Sequence, residues 1–131
     1  MAEMYVVMHL DCQDNDTPHW CLWTQDDGGQ ELIFEALGST GHAFRYHTRS
    51  VIMASSKSEK KQIKIGRIEA DVWPEIPDLL AGVPMSTQSD WNCQNWVMEA
   101  ITALKKVNYL EEDDSGLTYV QGKYKSKKRA Y

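Results

Sequence analysis

Residues 4–10, MYVVMHL, form a short apolar run rich in β-branched and aromatic side chains and bounded by a polar cluster from Asp11 to Asp16, the pattern of a central strand. Thr17 precedes Pro18 and is pushed toward extended backbone, so HWCLWT reads as a second strand beginning near His19. Alternation places His19, Cys21 and Trp23 on one face of that strand and Trp20 and Leu22 on the other. Asp27, Gly28 and Gly29 supply hairpin-turn chemistry, after which ELIFEAL returns as the antiparallel partner. Beyond Gly38 and Gly41, AFRYHTRSVIM offers one or two further short strands, and QIKIGRIEA alternates isoleucine with lysine and arginine as a half-exposed strand does. ASSKSEKK between them is a polar loop.

From Asp71 the period changes. Trp73, Ile76, Leu79, Leu80 and Val83 recur at near-helical spacing, with Pro77 in the first turns and Gly82 as a stop, which predicts a short helix. A longer helix starts at or beside Cys93: Asp90 or Asn92 can cap it, and Trp96, Val97, Ala100, Ile101 and Leu104 share one apolar face. Lys105 and Lys106 close it where the macrodipole favours cations. LTYV, residues 117–120, reads as a late edge strand. The pattern as a whole predicts an α+β fold: an antiparallel sheet of about five to six strands packed on one long C-terminal helix and one short helix.

Composition narrows the function classes. A chain of 131 residues with 42% hydrophobic side chains fits one domain with a real core, here placed at residues 1–120. The first residues lack a basic start and a long apolar stretch, and no window approaches the ~20 apolar residues of a membrane span. Three cysteines, an odd number, then point to free thiols in a reducing compartment, and a cytoplasmic location is expected. A net charge of −5, mixed along most of the chain, argues against nucleic acid as a partner. The exception is KYKSKKR at residues 123–129, directly after the acidic run from Glu111 to Asp114; low apolar content makes 121–131 read as a mobile basic tail, solvated or touching an acidic partner. Oligomeric state is not encoded in any recognisable pattern.

The residues that carry chemistry are few. A cysteine at a helix N-terminus sits among unpaired N–H groups and the positive end of the macrodipole, which stabilise a thiolate nucleophile. A histidine opening a strand that faces that helix end can take and return a proton. PHW at residues 18–20 and NCQNW at 92–96 supply both halves, His19 and Cys93. The bland alternatives are a small buried helix cysteine and a strand histidine bonded to backbone. Cys21 is core or borders the pocket, and Trp20, Trp91 and Trp96 are packing residues or pocket walls. His19, Cys21 and Cys93 would suit zinc as donors, but there is no C-x-x-C pair and no obvious fourth ligand, so no metal is expected. No phosphate-binding glycine loop or dinucleotide fingerprint occurs, and no cofactor is expected.

His on an early strand, written HWCLW, followed much later by Asn-Cys-x-x-aromatic at a helix start, resembles the circularly permuted papain-like superfamily, which includes the lecithin:retinol acyltransferase group and the PPPDE desumoylating peptidases. It is also similar to small fungal proteins of unassigned function that share His-Trp-Cys and Cys-x-x-Trp-Val. The resemblance covers roughly residues 17–107, and only these two motifs are specific. It implies His19 as base, Cys93 as nucleophile, and the Cys93 N–H, helped by the Asn92 or Gln94 side chain, as an oxyanion site. For the group orienting the imidazole, Glu35 is preferred over Glu31, His42 and His47.

Three functions follow as expectations. The first is a cysteine-dependent hydrolase or transferase acting on an amide, ester or thioester. The second is a non-covalent protein that binds or cyclises a small molecule in a fungal biosynthetic pathway, with His19 or Glu35 as acid/base. The third is a non-catalytic interaction module.

Overall fold

The computed structural model describes the backbone at residues 1–14, 17–38, 41–55 and 59–129 and the side chains at 1–10, 18–38, 41–54 and 59–124. Six antiparallel strands form one sheet in the order β4-β3-β2-β1-β5-β6. These are β1 (Ala2–Asp14), β2 (Thr17–Asp26), β3 (Glu31–Leu37), β4 (Arg45–Ser50), β5 (Lys60–Ile68) and β6 (Glu111–Glu112). The helices are α1 (Ile76–Ala81), α2 (Cys93–Lys106) and α3 (Asp114–Arg129). The α+β fold read from the pattern is present, with β1 in the interior of the sheet between β2 and β5.

Strand alternation sorts the side chains into two layers. Met4, Val6, Met8, Trp20, Leu22, Phe34 and Ala36 face the helices and join Trp96, Val97, Ala100, Ile101 and Leu104 of α2 in the main core. On the opposite face a smaller cluster gathers Val7, Cys21, Trp23, Ile33 and Met53. The predicted face of α2 is buried as expected, and Lys105 and Lys106 lie in its last turn. Pro77 fits within the first positions of α1 because a leading turn lacks intrahelical N–H partners, and Gly82 caps the end.

The C-terminal segment departs from the sequence reading in two respects. LTYV is not an edge strand but part of α3; the edge strand is the short β6, paired with Gly66 and Arg67 of β5. The boundary drawn at residue 121 falls inside the same helix, whose backbone continues to Arg129. Physically, the last residue of the acidic run and the basic run are the two ends of one helix, while Glu111 and Glu112 form β6. Asp113 accepts from the Gly116 N–H at 3.1 Å, Asp114 lies in the first turn, and the lysine-rich end lies where the dipole favours cations. Leu117 and Val120 are buried against the core, which supplies the apolar face that composition alone obscures.

Among the described residues no helix is long and apolar enough to cross a membrane.

Candidate active site

The ladder between β2 and β3 runs from Gln25–Glu31 to Leu22–Phe34 and then stops. Beyond it, the first turn of α2 takes the place of β3 against the open edge of β2. The Trp20 N–H donates to Cys93 Sγ at 3.4 Å, and Gln94 Nε2 donates to the Pro18 carbonyl at 2.9 Å. The sulfur is therefore held at the rim of the sheet rather than deep between layers, although Cys93 is only 4% exposed.

Local sequence fixes this turn. Asn92 is extended and caps α2: its Oδ1 accepts from the Gln94 N–H at 2.9 Å, while Asn95 Oδ1 accepts from the Asn92 N–H at 3.0 Å. The Cys93 N–H is left without an acceptor among the described residues, at the positive end of the helix.

His19 lies at the start of β2 on the face opposite the helices. Its Nε2 is 2.8 Å from Glu35 Oε1, and His47 Nδ1 is 3.0 Å from Glu35 Oε2, so one carboxylate bridges two imidazoles. With Nε2 engaged by Glu35, Nδ1 is the ring nitrogen left free of that bond, and the Cys93 sulfur is close enough to the imidazole to favour its charged form. Burial by itself depresses the His19 imidazole; the hydrogen bonds to Cys93 and Glu35, and the charges of both, outweigh it and raise the group from 6.5 to about 10. For Glu35, burial pushes the carboxyl up, but the hydrogen bonds from His19 and His47 prevail and hold it below its ordinary value. Glu35 is 6% exposed, a charge that would be expensive without those partners.

The other residues singled out from the sequence fall into place around this pair or away from it. Glu31 lies on the same strand face as Glu35 but is occupied by the Trp23 indole at 3.1 Å and the Met53 N–H at 2.9 Å. His42 is exposed in the loop between β3 and β4. Cys21 is fully buried, 3.8 Å from His9 Nε2, and desolvation pushes its thiol strongly upward. Trp20 lines a cavity together with Pro18 and Gln94. Trp96 is core, with its indole N–H unpartnered and its ring 6.0 Å from Tyr46, and Trp91 packs on Phe44 and donates to Glu99 at 2.9 Å. Neither tryptophan lines the cavity beside Gln94. Asn92 Oδ1 serves the cap and Gln94 Nε2 donates to the Pro18 carbonyl.

His9 is the residue that the sequence reading passed over. It sits opposite His19 across β1 and β2, with ring centroids 5.8 Å apart and stacked, and it borders a depression of about 340 Å³ with Glu35 and Arg49. Its signal was the hairpin register: pairing β1 with β2 puts residues 9 and 19 side by side, but the bulge between His9 and Gln13 hides that register in the sequence. Among the described residues no group of three or more His, Cys, Asp or Glu side chains is placed to hold a metal ion.

A model of a family of unknown function, DUF6540, matches residues 4–111. The chain belongs to DUF6540. No curated protein and no solved structure matches it. The matched span takes in every residue of the Cys93–His19–Glu35 arrangement of this DUF6540 domain and ends before α3.

Proposed function

We propose that this DUF6540 domain is a thiol-dependent acyl-transfer enzyme, a hydrolase or transferase of permuted papain-like type. The observation that carries the reading is the bond from Glu35 to His19 Nε2 together with a cysteine that opens helix α2 and whose sulfur lies against the backbone of Pro18 and Trp20, the two neighbours of His19. Each member supplies a separate requirement. The helix terminus and the imidazolium favour a thiolate; Glu35 fixes the ring and its charge; the Cys93 N–H points out of the turn where an oxyanion would form.

In this mechanism Cys93 Sγ forms a bond to the carbonyl carbon of an amide, ester or thioester. As the bond to the leaving heteroatom breaks, the proton on His19 passes to that atom. His19 then takes a proton from water or from an acceptor, which attacks the thioester and frees the sulfur. No redox step or cofactor is required. The free Cys21 and Cys93 thiols fit a reducing compartment such as the cytoplasm.

The test is site-selective alkylation. Brief treatment of the folded protein with iodoacetamide at pH 6.5, read by peptide mass spectrometry, is expected to label Cys93 at least about ten-fold faster than the buried Cys21. Equal labelling of the two, or none at Cys93 before unfolding, contradicts the nucleophile assignment.

A further inference from the structure

The depression of about 340 Å³ that Glu35 and Arg49 border is within the range of roughly 300–1,000 Å³ typical of small-ligand sites. One side of it is apolar and held in place by the fold. The chain leaving β4 turns back over the sheet face opposite the helices, where the Val51 N–H donates to the Glu31 carbonyl at 3.1 Å. The Met53 N–H donates to Glu31 Oε1 at 2.9 Å, and the same oxygen accepts from the Trp23 indole at 3.1 Å. Met53 and Ile33 are thereby packed into the smaller core cluster, and with Val51 and Ile52 they line the depression. Ile52 keeps its hydrocarbon 68% exposed.

The other side is charged, and its charges are unevenly matched. Glu35 pairs with His47 across the β3–β4 ladder and Ile33 pairs with Arg49, so Arg49 is the diagonal neighbour of Glu35, within reach of a long side chain. The two nevertheless form no ion pair. Both Glu35 oxygens are taken, one by His19 Nε2 at 2.8 Å and the other by His47 Nδ1 at 3.0 Å. Among the described residues the Arg49 guanidinium has no carboxylate within ion-pair distance. Its charge is felt at the Cys21 sulfur of the same sheet face, where it favours the anionic form. The carboxylate in the wall is thus spent on two imidazoles, and the guanidinium is left over. Such a group offers a planar fork of N–H donors whose geometry matches a carboxylate. One spare cation beside an existing carboxylate suits a ligand with a single negative charge better than a dianion.

We infer that this depression binds a small apolar carboxylic acid, its carboxylate on Arg49 and its hydrocarbon on Ile33, Val51, Ile52 and Met53. The inference goes beyond the acyl-transfer reading and does not depend on it. Neither Cys93 nor His19 lines the depression, and no bond is made or broken there.

The test is an NMR-monitored titration of the full chain at pH 7 with hexanoate, with uncharged hexanamide and with acetate. Hexanoate is expected to bind about ten-fold or more tighter than either, because the amide lacks the charge and acetate the hydrocarbon. The amide shifts should centre on Ile33, Arg49 and residues 51–53. Arg49→Gln should bring hexanoate down to the level of hexanamide, and Ile52→Ser should weaken hexanoate while leaving acetate as it was. Both side chains are exposed, so neither change is expected to move the melting temperature. The control is Lys61→Gln, in the wall of a separate cavity of about 310 Å³ on the helix side that Trp20, Tyr119 and Lys123 also line; it should change nothing. Equal affinity for hexanoate and hexanamide, hexanoate binding that survives Arg49→Gln, or binding lost in Lys61→Gln overturns the inference.

Discussion

Glu35→Ala is expected to drop the His19 titration from about 10 toward 6.5 and to slow Cys93 alkylation at neutral pH by about ten-fold or more. The carboxylate holds His19 Nε2 at 2.8 Å and His47 Nδ1 at 3.0 Å, so its removal releases both rings and takes away one of the two partners, Cys93 and Glu35, that keep the first one protonated. Histidine-resolved NMR titration reads the first effect, and iodoacetamide kinetics read the second. Loss of a buried, doubly bonded carboxylate is also expected to lower stability by about 3 kcal/mol.

The pH dependence of stability carries the same signature. His19 is raised in the folded state, so its contribution is fully present below 6.5 and is lost as pH climbs through about 10. Glu35 is depressed, so its contribution is present above 4.5 and is lost as pH falls through its lowered value. Denaturation midpoints of wild type should therefore be flat between about 4.5 and 6.5 and decline on either side. In Glu35→Ala both shoulders should flatten; shoulders unchanged from wild type would show that the pairing contributes nothing to folding.

Gly116→Ala is expected to destabilise the protein by about 3 kcal/mol or more, a fall in melting temperature of roughly 10 °C. A Cβ at this position would overlap the Lys64 carbonyl oxygen and lie 2.8 Å from its carbon, and backbone of an interior strand cannot give way as a flexible side chain can. Gly116 is the point where α3 touches β5, and Tyr119 and Lys123 follow it at helical spacing, so the same change should pull both from the cavity wall. Gly122 in the same helix is the control: nothing lies within 4 Å of a Cβ there, and Gly122→Ala should stabilise by about 0.5–1 kcal/mol. A thermal melt of the two variants checks both signs, and a stable Gly116→Ala protein would mean that α3 does not pack on β5 as described.

How much of this was legible in the sequence depended on whether a feature was local. Strands β1 to β5, α1 and α2 follow from periods of two and 3.6, and the juxtaposition of a capped helix start with Cys93 is written in NCQN. Glu31 and Glu35 share a strand face by parity, so no period distinguishes them; only the register that pairs Glu35 with His47 and brings His19 alongside does so. His9 was hidden for the same reason, because its place beside His19 depends on a bulged hairpin. α3 was misread because its core face is carried by a few apolar residues and one glycine, while its charges, taken as a solvated run, are the dipole-matched ends of a helix. Gln94, polar and at a helix start, gave no sign that its side chain would be 2% exposed with its oxygen unpartnered.

The most direct measurement is the rate of Cys93 alkylation from pH 5 to pH 10 in wild type and in His19→Ala. An imidazolium-supported sulfur should keep most of its rate at pH 6.5, and the variant should instead show the steep climb toward pH 8.5 of an ordinary thiol. Superimposable profiles for the two proteins would mean that His19 does not act on the sulfur, and the catalytic reading would be lost.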